Sequence, residues 1–93
     1  MQLGTLRIVL HIPQSRSLKS KRQVVKGIIE RLKSRFNISI AEVEDNDLWQ
    51  RATLGIAMVA NESRFVDQVL DSVENYIASN PEVIIVDSQK DHY

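Results

Sequence analysis

The chain contains no cysteine. Its absence excludes disulfides, thiolate nucleophiles and thiolate metal ligands together, so the fold has to rest on its core. Glycine occurs three times and proline twice, and the turn IPQSRSLKSKR has none of the glycines of a phosphate loop. No apolar run approaches the ~20 residues that a membrane span needs. The first residues lack the basic-then-apolar pattern of a secretory signal, so a cytoplasmic protein without a membrane partner is the expectation. Histidine is confined to His11 and His92, and no serine or carboxylate stands at local spacing to complete a triad with either. Glu42, Glu44, Asp45 and Asp47 crowd one short segment. That segment lacks the glycine turn and terminal glutamate of a calcium loop, and a solvated acidic hairpin is the simpler reading. No catalytic residue, cofactor or metal is expected.

What is present fits one ordinary globular domain. Hydrophobic residues make up 43% and charged residues 26% of 93 positions, and a chain of this length buries on the order of 60–65% of its unfolded surface around a single core. The formal net charge is zero, yet the charge is divided. Residues 1–36 carry nine of the twelve Lys/Arg and one acid, a local +8, and residues 37–93 carry three bases and eleven acids, a local −8. Such asymmetry points to a surface for an anionic partner, nucleic acid first among them.

Periodicity predicts six elements. Leu6, Ile8, Leu10 and Ile12 alternate with polar or smaller residues, and Pro13 ends that strand. Ser17 is a natural N-cap for a helix over 18–35, with Leu18, Val25, Ile28, Ile29, Leu32 and Phe36 on its apolar face. Ile38, Ile40 and Val43 form a second strand; Leu54, Ile56, Met58 and Ala60 alternate along a third; EDNDLWQ is the loop between them. A second helix begins near residues 61–63 and buries Phe65, Val66, Val69, Leu70, Val73, Tyr76 and Ile77, with Asn80-Pro81 closing it. EVIIVDS is the last strand, and a short tail starts at about residue 89.

The order β-α-β-β-α-β predicts an α+β, ferredoxin-like fold spanning residues 1–93, a four-stranded antiparallel sheet with both helices on one face. The other face then carries Val9, Ala57 and Val59, with Val43 or Ala41 and Ile84 or Val86. These residues are small or apolar where a solvated sheet would be polar, so a homo-oligomer formed through this face is expected. Scattered exposed aliphatics are the plainer alternative.

Two features mark a binding surface. Around the first helix, Lys19, Arg22, Lys26 and Lys33 form one stripe beside the apolar face, while Lys21, Arg31 and Arg35 flank the other side; Ser20, Gln23, Gly27 and Ser34 lie between. A phosphate backbone can approach such a neutral strip edged with cations. The competing readings are solvated lysines whose stems lie along the core, or pairing with Asp67, Asp71 and Glu74 on the second helix. Trp49, with Asp47, Gln50 and Arg51, offers stacking, acceptor and donor groups in a polar loop. Alternatively, Trp49 and Leu48 fold back to cap the core.

The segment SLKSKRQVVKGIIERLKSRFNISIAEVEDNDLWQRATLGIA resembles the YlxP-like family of small bacterial proteins, above all in SLKSKR, in Phe36-Asn37 with Ser39 and Glu42, and in Asp47 with Trp49-Gln50-Arg51. The resemblance covers nearly the whole chain. It implies a ferredoxin-like fold and a genetic neighbourhood of translation and ribosome-maturation genes, without an activity. RNA or a ribosomal assembly partner, engaged by Lys19, Lys21, Arg22, Lys26, Lys33, Trp49, Gln50 and Arg51, is therefore the expected ligand. The alternative is an oligomeric small-ligand-sensing or protein-interaction domain in which the charges serve solubility.

Overall fold

Alternation along β1 (Gln2–His11) sorts its side chains into two layers. Leu6, Ile8 and Leu10, with Ile12 just beyond, point to one side and are at most 1% exposed. In the computed structural model, which describes residues Met1–Tyr93, β1 is followed by α1 (Leu18–Arg35), β2 (Ser39–Glu44), β3 (Arg51–Ala60), α2 (Ser63–Ala78) and β4 (Ile84–His92). The strands form one antiparallel sheet in the order β2-β3-β1-β4. Two split β-α-β units wound in this way give the ferredoxin-like arrangement. Ser17 caps α1, its Oγ accepting from the Ser20 N–H at 3.0 Å, and the chain leaves the helix at Phe36, whose N–H still donates to the Leu32 carbonyl.

One apolar cluster joins both helices to the same sheet face: Val25, Ile28 and Leu32 of α1 and Val66, Leu70, Val73 and Ile77 of α2 pack with Leu6, Ile8, Leu10, Leu54, Ile56 and Met58. The side chain missing from Gly4 lets α2 lie close on β1, because a Cβ there would collide with Val66 Cγ1 and crowd Leu70 Cδ1. No helix is long and apolar enough to cross a membrane.

Three sequence expectations are corrected. Residues 89–92 are not a tail: β4 runs to His92, paired with β1 as far as Gly4, and the Tyr93 N–H donates to the Leu3 carbonyl. Phe65 is not core but 53% exposed at the start of α2. Val9 is not available as an oligomer contact. It faces away from the helices, yet it is 1% exposed, because it sits on a central strand between Arg7 and His11 and beside Thr53 and Asp87 of the flanking strands. On the same outer face Val43, Val59, Ile84 and Val86 are each more than half exposed.

Candidate functional site

The carboxylates of α2 face β4 and not α1. On the helix side of β4, Ser88, Lys90 and His92 succeed one another at two-residue spacing, and opposite them α2 presents Glu74, Asp71 and Asp67. Ser88 Oγ donates to Glu74 at 2.7 Å, Lys90 Nζ lies against Asp71 and Asp67, and His92 Nε2 is 2.7 Å from Asp67. The bond to Asp71, reinforced by the charges of Asp71 and Asp67, raises the Lys90 pKa above its ordinary 10.5.

The exposed cations of α1 are left facing water. Lys19, Arg22, Lys26 and Lys33 are all exposed, and the one carboxylate near the stripe is Glu30, 3.9 Å from Lys26 on the same helix. The Arg31 guanidinium lies against Gly27, across the neutral strip, and Arg35 stacks over the Tyr76 ring at 4.5 Å. Pairing of α1 with the α2 carboxylates, the competing account of the charge pattern, is absent.

Lys21 does not belong with them. It is 0% exposed and its Nζ donates to Glu42 Oε2 at 2.9 Å and to the carbonyls of Asp45 at 2.8 Å and Asn46 at 3.1 Å. Glu42 pairs in register with the core residue Leu54 and so faces α1, which brings a carboxylate under the helix where the lysine enters. A bulge follows between Glu42 and Glu44. Lys21 is thus a structural cation holding the β2–β3 loop to α1, out of reach of any ligand.

The loop is fixed from other directions as well. Asp45 has φ 66°, a left-handed conformation that Asp tolerates better than most residues. Its carboxylate accepts from Thr53 Oγ1 at 2.7 Å and Arg51 Nε at 3.1 Å. The Thr53 bond first, against some desolvation, and then Arg51 hold its pKa below the ordinary 3.8. A carboxylate depressed in the folded state adds stability that is present above its unfolded pKa and lost as pH falls through the folded value. Thr53→Val is expected to bring the Asp45 titration up towards 3.8 and to lessen the fall in melting temperature below about pH 4. Carboxyl NMR titration and acid-side melts check this; an unmoved Asp45 titration would contradict the assignment.

Gln50 ties the loop to the turn between β1 and α1. Its Nε2 donates to the Pro13 and Ser15 carbonyls, and its own carbonyl accepts from the Ile12 N–H at 2.8 Å and from His11 Nδ1 at 3.1 Å. The Gln50 amide is therefore engaged within the chain. Trp49 beside it is 57% exposed and Leu48 is 47% exposed, so neither caps the core; roughly 2 kcal/mol of burial is forgone by leaving such a side chain in water. Trp49, Arg51, Arg16, Ser15 and His11 surround an open depression of about 610 Å³. No cluster of three His, Asp or Glu side chains is placed to hold a metal ion.

A family model described as "Protein of unknown function (DUF503)" matches residues 3–90. The chain belongs to this family. The "Uncharacterized protein YlxP" of Bacillus subtilis (strain 168) is 42% identical over 67 residues, 72% of this chain and 73% of that relative. The family match runs from Leu3 in β1 to Lys90 in β4, so it takes in part or all of every strand and the contacts of Ser88 and Lys90 with α2. Neither description names a ligand. The fold brings Trp49 and Arg51 to the N-terminal end of the α1 stripe. It also adds Arg16, which stands beside the N-cap Ser17 in a turn that carries no phosphate-loop glycine.

Proposed function

We propose that this protein is a non-catalytic module that binds RNA, alone or within a ribosomal assembly partner, through the exposed cations of α1 and the Trp49 hairpin. The observation that carries the reading is the flank of α1 itself: Lys19, Arg22, Lys26 and Lys33 are exposed there with only Glu30 in reach, since α2 meets the opposite, Arg35 flank and turns Asp67 and Asp71 to β4. Lys19 to Lys33 spans about 21 Å of helix axis, roughly six base steps of a nucleic-acid backbone, with uncharged Ser20, Gln23 and Ser34 allowing close approach. The test is a pull-down from bacterial lysate on the immobilised protein. RNA is expected to co-purify, to disappear on ribonuclease treatment, and to be lost by Lys19→Gln/Arg22→Gln/Lys26→Gln. Retention of no RNA above a neutral control protein would overturn the proposal.

A second surface supports self-association. Val43 and Val59 are exposed on the outer sheet face, Ala57 lines shallow hollows there with Val43 on one side, edged by the Arg7–Glu44 ion pair, and Val59 on the other, and exposed aliphatic patches on a sheet face mark association surfaces. Sedimentation at micromolar concentration is expected to show a dimer or larger species that Ala57→Glu dissociates. A monomer before mutation would end this reading.

A further inference from the structure

The β2–β3 loop is over-determined at its base and bare at its tip. Lys21 holds two of its carbonyls from beneath, Thr53 and Arg51 fix the Asp45 carboxylate, and Gln50 fastens its end to the β1–α1 turn. Left-handed backbone at a non-glycine residue persists where surrounding structure enforces it, and such positions cluster at functional sites. Here the enforced geometry displays Trp49.

The depression beside Trp49 has a definite chemistry. The Gln50 amide and the Ser15 hydroxyl are turned to the chain itself, and no carboxylate lines the hollow. The groups left to a ligand are the indole of Trp49, the guanidinium of Arg16, the terminal nitrogens of Arg51, whose Nε is held by Asp45, and the His11 ring. Because a carbonyl only accepts, His11 Nδ1 is the donor to Gln50, and Nε2 of the neutral ring is an acceptor. A flat aromatic face, two cations and one acceptor around about 610 Å³ match a planar base joined to a phosphate. A base inside a duplex is covered on both faces and cannot lie on an indole, whereas an unpaired one can.

We propose that this depression is a subsite for one unpaired RNA nucleotide, with its base stacked on Trp49 and its phosphate held by Arg16 and Arg51. The inference rests on the RNA-binding reading and sharpens it. The preferred target is a single-stranded segment, entering at the hairpin and continuing along α1 past Lys19 and Arg22.

Trp49 is the only tryptophan in the chain, so emission excited at the red edge, where Tyr76 and Tyr93 do not absorb, reports this site and no other. Titration of the full protein with an oligoadenylate of about 10 nucleotides is expected to quench Trp49 to saturation, at lower concentration than adenosine monophosphate requires, while an RNA duplex of equal length leaves it little changed. Arg16→Ala is expected to weaken the quench titration about fivefold near 0.1 M salt. Trp49→Ala, followed by anisotropy of a labelled strand, is expected to weaken binding about tenfold to a hundredfold, with Trp49→Phe between it and the parent. Binding by anisotropy without a change in Trp49 emission would overturn the subsite and leave the α1 surface standing. Saturation by the monophosphate below the oligomer's concentration would overturn the strand reading in favour of a free nucleotide. No binding in either assay would overturn both proposals.

Discussion

Lys21→Met destabilises the protein by about 3–5 kcal/mol, the range for removing one partner of a buried ion pair. The side chain that replaces it has nearly the same length and suits a site with 0% exposure, so lost volume contributes little. The cost arises at the oxygens. Glu42, whose side chain is 14% exposed, keeps its charge without a counterion, and the Asp45 and Asn46 carbonyls lose a charged donor. Denaturant melts of the variant and the parent measure the difference. The loop should also loosen, so Trp49 emission in the folded variant shifts to that of a mobile indole. A loss below about 1 kcal/mol, as for an exposed pair, would contradict the structural role given to Lys21.

The second large effect falls on binding and leaves stability alone. Each phosphate contact contributes about 0.7–0.9 to the dependence of log affinity on log salt. Three contacts then amount to more than two orders of magnitude near 0.1 M, and Lys19→Gln/Arg22→Gln/Lys26→Gln is expected to weaken RNA binding about a hundredfold. Each of these side chains is exposed and Lys26 has only its weak contact with Glu30, so melting of the variant should match the parent within about 0.5 kcal/mol. Reduced affinity with a matching loss of stability would assign these cations to the fold.

The sheet, both helices and the element order were legible because apolar periodicity carries them. The end of β4 was not. Beyond Val86 both faces of the strand are polar, Asp87, Gln89 and Asp91 on one and Ser88, Lys90 and His92 on the other, so a reading of apolar alternation stops at the wrong residue. That stretch is held by backbone pairing with β1 and by the carboxylates of α2. Phe65 misleads in the opposite direction, since its spacing fits the apolar face of α2 although it lies at the open N-terminal end. Lys21 was legible in part: around α1 it falls between Ile28 and Leu32, inside the buried sector, and only its charge argued for the surface. What no spacing shows is its counterion, because Glu42 reaches it through the strand register. The site divides in the same way. The α1 stripe is a helical pattern and Trp49 is conspicuous in a polar loop, but which flank of α1 meets α2 is settled only in three dimensions: Arg35 stacks on Tyr76, the stripe lies on the other side, and Asp67 and Asp71 face β4.

The salt dependence of RNA binding tests the central claim most directly. Fluorescence anisotropy of a ribosomal RNA fragment, followed from about 50 to about 200 mM salt, gives the slope of log affinity for the parent and for Lys19→Gln/Arg22→Gln/Lys26→Gln. The account predicts a steep parental slope that becomes shallower by about 2–3 in the variant, with affinity falling alike for all RNA sequences. Equal slopes for the two proteins, or parental binding no tighter than that of a neutral control protein, would contradict it.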